Sequence, residues 1–184
     1  MIFSILAKKL GGYHGIRSRY FRSKYFKRFY AILQRGFEHE TGSYIPFDAE
    51  IKGRMNLPHG TYGIFISGGS KIGSNCTVYQ QVTIGSVTLV GSKGCGAPTI
   101  GDNCVIGAGA KITGNVKVGN NCRIAANASV SQDIPDNCVV TPGKPVVIQK
   151  ENLVNVIATR RNGNDAYWED GEVIELDKCW TSMF

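Results

Sequence analysis

Three histidines occur in the chain: His14, His39 and His59. Imidazole titrates near neutral pH, so such a side chain can take the proton of a hydroxyl as that oxygen attacks an electrophile. His59 stands apart because it lies in LPHGTYGIFISGGSKIG, a stretch of glycines and β-branched residues, whereas His14 and His39 sit in a basic, aromatic N-terminal region. An isolated histidine is more often structural than chemical, so context must decide.

Six cysteines raise metal binding and disulfides as other chemistries. No Cys-x-x-Cys pair occurs, which removes the usual zinc signal. Four cysteines follow an asparagine, at Asn75-Cys76, Asn103-Cys104, Asn121-Cys122 and Asn137-Cys138. This regular context reads as equivalent places for a small buried side chain. Cys95 can carry an acyl group in principle, but nothing in the sequence pairs it with a base.

The elements that would position these residues show themselves as a period. An aliphatic residue recurs every six positions at Ile66, Ile72, Val78 and Ile84, and again from Ile100 through Ile106, Ile112, Val118 and Ile124 to Val130. A second ladder runs two places earlier, through Cys76, Val82, Cys104, Ala110, Val116, Cys122, Ala128 and Ile134. A hexapeptide repeat of this kind marks a parallel β-helix with three flat sides per coil. Asn and Gly between the strands suit corner turns that need positive φ. From Ile84 to Ile100 the step is 16 residues, two hexads plus four, so four surplus residues are expected to bulge from GSVTLVGSKGCGAPT.

The stretch Ile100 to Val130, IGDNCVIGAGAKITGNVKVGNNCRIAANASV, resembles the hexapeptide acyltransferases, especially serine acetyltransferases and related glycan O-acetyltransferases. The resemblance covers roughly residues 45–148. It implies a left-handed coil, a homotrimer, and acetyl-CoA as co-substrate in the groove between subunits, without a metal. It makes His59 the general base. The coenzyme contacts it implies are Gly85 and Ser86 where the loop leaves the coil, Ala108 and Ala126 stacked 18 residues apart, and Lys144 and Lys150 toward the phosphates.

Two departures bear on the acceptor. Serine acetyltransferases carry an aspartate directly before the first histidine and a second histidine before the loop proline; here those places hold Pro58 and Ala97. The Gly-Ala-Pro-x-Ile sequence from Gly96 to Ile100 is closer to the sugar and exopolysaccharide enzymes. The expectation is therefore an O-acetyltransferase acting on a sugar or polysaccharide-precursor hydroxyl, with a serine O-acetyltransferase or a non-catalytic trimeric scaffold as alternatives. A γ-type carbonic anhydrase needs three zinc-binding histidines, and the repeat region supplies only His59.

The chain thus reads as an all-β solenoid, a left-handed parallel β-helix over 45–148 with loop 86–98, an N-terminal helical cap over 1–44 and an irregular C-terminal extension over 149–184. The formal charge is +7, with nine Lys/Arg and no acid in residues 1–36. Residues 18–34 read as one aromatic, basic helix, which can cap the first coil or lie on an anionic membrane surface; capping is favoured because an open coil end must be covered. No apolar run reaches the ~20 residues of a spanning helix, and Lys8-Lys9 follow rather than precede the short apolar start, so the chain reads as cytoplasmic.

Overall fold

The computed structural model describes residues 2–89, 91–92 and 94–143, and the backbone of 158–161, 164–169 and 172–175. The first unit, Met1–Lys144, is a left-handed parallel β-helix preceded by helices. One face holds β1 (Glu50–Ile51), β3 (Lys71–Ile72), β6 (Thr99–Ile100) and β9 (Lys117–Val118). The next holds β4 (Thr77–Val78), β7 (Val105–Ile106), β10 (Arg123–Ile124) and β12 (Val139–Val140), and the third β2 (Phe65–Ile66), β5 (Thr83–Gly85), β8 (Lys111–Thr113) and β11 (Ser129–Val130).

Each strand is short because only one residue pair per side must be extended: the first points outward and the second inward. The inward members are the aliphatic ladder, from Ile66 to Val130, all essentially buried. The second ladder follows them inside, with Cys76, Val82, Cys104, Ala110, Cys122 and Ala128 at 0% exposure. Each buried thiol donates to a carbonyl of the next coil: Cys76 to Gly101 O at 3.2 Å, Cys104 to Gly119 O at 3.1 Å and Cys122 to Pro135 O at 3.1 Å. Its hydrogen bond with Cys76, then burial, pushes the Cys104 thiol upward. The preceding Asn75, Asn103, Asn121 and Asn137 all take φ between 55° and 60°, the left-handed turn that asparagine tolerates. Asn75 Nδ2 donates to Asn103 Oδ1 at 2.9 Å, and Asn121 Nδ2 to Asn137 Oδ1 at 3.2 Å.

Strand register exposes two corners with extra chain. Between the first two coils Glu50 pairs with Lys71 and Asn56 lies beside Thr77, a step of 21 rather than 18, and Tyr44 beside Phe65 keeps it. The three surplus residues fall at the corner holding His59. At the second corner Ile72 pairs with Ile100. The step there is 28, as in the Asn75–Asn103 pair. The chain from Ile84 to Ile100 therefore advances a single side, and about ten residues are surplus against a hexad side. This corrects the expected four. The extra length closes as a hairpin in which Val87 and Gly96 exchange N–H···O bonds of 2.9 Å, so the loop consumes residues that hexad counting assigned to the coil.

The N-terminal region forms α1 (Ile2–Lys9), α2 (Gly12–Arg22) and α3 (Lys27–Thr41). The single helix expected over 18–34 is broken at Ser23, whose backbone is extended and whose Oγ accepts the Phe26 N–H at 2.8 Å; a serine that caps a neighbouring amide competes with helix continuation. Tyr13 of α2 is buried in the same core as Ile45, Ile64 and Met55, and Phe37 of α3 packs against it. Arg17 donates to Pro46 O (3.0 Å), Phe47 O (3.2 Å) and Ala49 O, while His14 Nε2 donates to Met55 O at 2.8 Å. These are backbone acceptors at the open end of the first coil, so part of the N-terminal positive charge is spent on capping it. Phe21, Tyr25, Phe26, Phe29 and Ile32 are exposed. No helix among the described residues is long and apolar enough to cross a membrane.

The second unit, Pro145–Phe184, contains three antiparallel strands, β13 (Ala158–Arg161), β14 (Asn164–Glu169) and β15 (Glu172–Glu175), where the sequence suggested an irregular tail. A six-residue period does not reveal these strands, because antiparallel strands alternate with a period of two.

Candidate active site

The corner between β4 and β5 is the place where one side chain with acid–base capability is offered outward. Its first coil reads Leu57-Pro58-His59-Gly60-Thr61-Tyr62-Gly63, and the three surplus residues resolve into two consecutive turns, closed by Gly60 N–H to Leu57 O and Ile64 N–H to Thr61 O, both at 3.0 Å. Gly60 (φ 73°) and Gly63 (φ 64°) supply the left-handed conformations these turns require. His59 is thereby pushed out and is exposed.

Its ring is nevertheless held by the coil below. His59 Nδ1 lies 2.7 Å from Gln80 Oε1, and the ring meets Tyr79 edge-on at 5.6 Å and 77°. With the amide oxygen as acceptor, Nδ1 carries the proton and Nε2 presents its lone pair to solvent.

The same corner continues downward. Gly109 N–H donates to Gln80 O at 3.0 Å and Asn127 N–H to Ala108 O at 2.9 Å, so Gln80, Ala108 and Ala126 form one column beneath His59. At ~4.8 Å per coil, His59 and Ala126 are about 14 Å apart along the axis. Both alanines are partly or fully exposed, and a Cβ on Gly107 would lie 2.6 Å from the Ala126 nitrogen. The column is thus a smooth strip of backbone and methyl groups running away from an imidazole, the relief a flat pantetheine arm needs.

Gly85 and Ser86 are elsewhere. Gly85 ends β5 and Ser86 follows it, at the opposite corner of its face, about 15 Å of extended chain from the His59 column, where the 86–98 hairpin departs. Ala97 lies at this second corner too, against Gly69, whose Cβ would come within 3.2 Å of its methyl. One copy of the chain therefore joins His59, Ala108 and Ala126, and does not bring Gly85, Ser86 or Ala97 to them. Lys144 and Lys150 lie outside the described residues. Gln80 and Tyr79 escaped the sequence reading; they become visible only when the 21-residue step is known, because counting back six from Ile66 lands on Gly60 and hides the register of His59 over Gln80.

Comparison with known proteins gives the geometry its context. Residues 97–132 match the model described as "Bacterial transferase hexapeptide (six repeats)". The serine acetyltransferase of Staphylococcus epidermidis is 35% identical over 173 residues, spanning 89% of this chain and 78% of the relative. The chain belongs to the serine acetyltransferase family.

The serine acetyltransferase of Mycobacterium tuberculosis is 40% identical to this family member over 108 residues, 58% of this chain and 46% of that one. Among solved structures, serine acetyltransferase isoform 3 from Entamoeba histolytica in complex with cysteine aligns with TM-score 0.58 and 33% identity over 75% of this chain and 48% of its own. A serine acetyltransferase in complex with CoA aligns with TM-score 0.55 and 28% identity over 69% of this chain and 49% of its own. The chain thus spans about half the length of these solved enzymes. As a serine acetyltransferase family member it departs at Pro58 and Ala97, which are exposed and half-buried respectively and offer no ionisable group. These relatives carry the serine name, so the comparisons favour the alternative that Pro58 and Ala97 had argued against, over a sugar acceptor.

Proposed function

We propose that the protein is an acetyl-CoA-dependent O-acetyltransferase in which His59 is the general base. The observation that carries this reading is the single column in which an outward imidazole, fixed at Nδ1, heads a strip of small residues at Ala108 and Ala126. When bound, acetyl-CoA supplies the thioester carbonyl. His59 Nε2 takes the acceptor hydroxyl proton as the oxygen attacks that carbonyl; the carbon–sulfur bond then breaks and the CoA thiolate leaves with a proton returned from the imidazolium. The transfer is direct, with no acyl-enzyme.

For the acceptor, the relatives support free serine. A second reading, a sugar or polysaccharide-precursor hydroxyl, is favoured by Pro58 and Ala97 standing where serine enzymes hold ionisable side chains. Assembly as a homotrimer fits the placement of Gly85, Ser86 and Ala97 at a different corner from His59, since a neighbouring copy can offer its loop to the His59 column. Contact of the exposed aromatic and basic N-terminal residues with an anionic membrane surface is the further partner this reading leaves open to test. Thiol release from acetyl-CoA, measured with free serine and with a panel of sugars and nucleotide sugars, tests the whole proposal. Turnover with serine alone selects the first acceptor and turnover with glycans alone the second. No thiol release with any acceptor sinks the enzymatic reading in favour of a scaffold.

A further inference from the structure

Gln80 Oε1 lies 2.7 Å from His59 Nδ1 and accepts its N–H, and three backbone bonds pin the segment that carries it. Tyr79 N–H is held by Ile106 O at 3.0 Å, Gln80 O accepts from Gly109 N–H at 3.0 Å, and Gln81 N–H reaches Tyr62 O at 2.9 Å with its own φ at 61°. With the backbone so anchored on the coil below, where the amide points is set by the side-chain torsions of Gln80 and by its bond to His59. From this we infer that Gln80 is a positioning residue for the acetyl transfer: its Oε1 holds the Nδ1–H tautomer of His59 and aims Nε2 at the acceptor hydroxyl. The inference rests on the proposed role of His59 as base.

The chemistry separates this from simple packing. A base that works through Nε2 must have its proton on Nδ1, and an amide oxygen at 2.7 Å selects that tautomer. The opposite amide orientation would present Nε2–H of Gln80 as a donor to Nδ1, move the ring proton to Nε2 and abolish the base. A neutral amide also differs from a carboxylate at the same place, which would stabilise imidazolium and raise the pH at which the base becomes free. Gln80 thus orients the ring without placing a charge beside it. Tyr79 completes the hold by touching the ring edge-on, so two consecutive residues of one coil fix one side chain of the coil above.

The test has two arms. In the first, 15N-labelled histidine is introduced into the full chain and the imidazole nitrogens are read by NMR above the ring titration; His59→Ala assigns the His59 signals against those of His14 and His39. An Nδ1–H tautomer that becomes a mixture in Gln80→Leu supports the inference, and an Nε2–H tautomer, or one unchanged in Gln80→Leu, overturns it. In the second arm, thiol release from acetyl-CoA is followed against pH for the parent, Gln80→Leu and Gln80→Glu, with thermal melts on the same preparations. The expected result is a kcat about tenfold or more lower in Gln80→Leu, partial recovery in Gln80→Glu, and an acidic limb displaced upward by about one pH unit in Gln80→Glu alone. Equal activity of Leu and Glu variants with an unmoved limb would show a packing role and overturn it. Failure of the parent reading is told apart by His59→Ala: undiminished turnover there removes the base, while the NMR arm still decides what Gln80 does to the ring.

Discussion

Ala126 sits directly under Ala108, joined through the Asn127 N–H that donates to Ala108 O at 2.9 Å. Because the pair lies below His59 on an exposed strip, a large side chain there should obstruct the coenzyme without disturbing the core. Ala126→Trp is expected to keep the parent melting temperature within about 2 °C and to raise KM for acetyl-CoA about tenfold, a loss of ~1.4 kcal/mol in binding. Calorimetric titration with CoA checks it; unchanged affinity would remove Ala126 from the coenzyme path.

His59→Ala should leave a folded protein with near-parent CoA affinity and turnover lower by ~10² to 10⁴. The exposure of His59 makes the separation clean, since little packing is lost. A folded variant with parent turnover would end the mechanism, because the remaining histidines are occupied differently: His14 bonds Met55 O and His39 lies on α3.

The buried thiols Cys76, Cys104 and Cys122 should resist thiol reagents in the native protein, while exposed Cys95 reacts. With Cys179, which lies outside the described residues, replaced by Ser, a chromogenic disulfide reagent should titrate Cys95 first and the three ladder thiols only on unfolding. Prompt reaction of a ladder cysteine would mean that the coil opens locally.

Asn103 turns its corner at φ 57° and accepts from Asn75 Nδ2. Asn103→Gly should be close to neutral, whereas Asn103→Val should cost about 1–2 kcal/mol, a fall of roughly 2–8 °C in Tm, because a β-branched residue resists the left-handed region. Equal melting temperatures for the two variants would contradict the corner assignment.

His14 is pulled below its usual titration range, first by burial and then by Arg54 and Arg17, against the opposing pull of the Met55 carbonyl. Its folded pKa lies below the unfolded value of 6.5, so the unfolded chain binds the proton more readily and stability falls as pH drops through 6.5 toward the folded pKa. Melting curves at pH 7.5 and 5 should show a smaller acid loss in His14→Gln than in the parent. An identical loss in both would place the acid sensitivity elsewhere.

The interior of this fold is written plainly in its sequence, because each inward position of a β-helix repeats in the same environment and the aliphatic and Asn-Cys ladders must therefore repeat as well. Handedness is not: a six-residue period is the same in either sense, and only the family resemblance supplied it. Corners are legible in proportion to their regularity. Asn103 over Asn120–Asn121 follows the 18-residue step, but the His59 corner and the 86–98 hairpin hide their registers by adding residues, and with them Gln80. The Ser23 break is hidden for a different reason: apolar and basic spacing runs on through it, while one local bond, from the Phe26 N–H to the Ser23 hydroxyl oxygen, stops the helix.

Extra chain at the His59 corner and at the hairpin is thrown outward, while Ile51 stays paired with Ile72 across the first, and Ile72 with Ile100 and Ile84 with Ile112 across the second. Length and alignment are thus decoupled in this molecule, as in a spiral staircase whose landings can be widened without moving the treads. The regular corner at Ala125–Ala128 is by the same logic a graftable port, able to take a foreign loop that would project beside the proposed coenzyme strip while the interior remained in step.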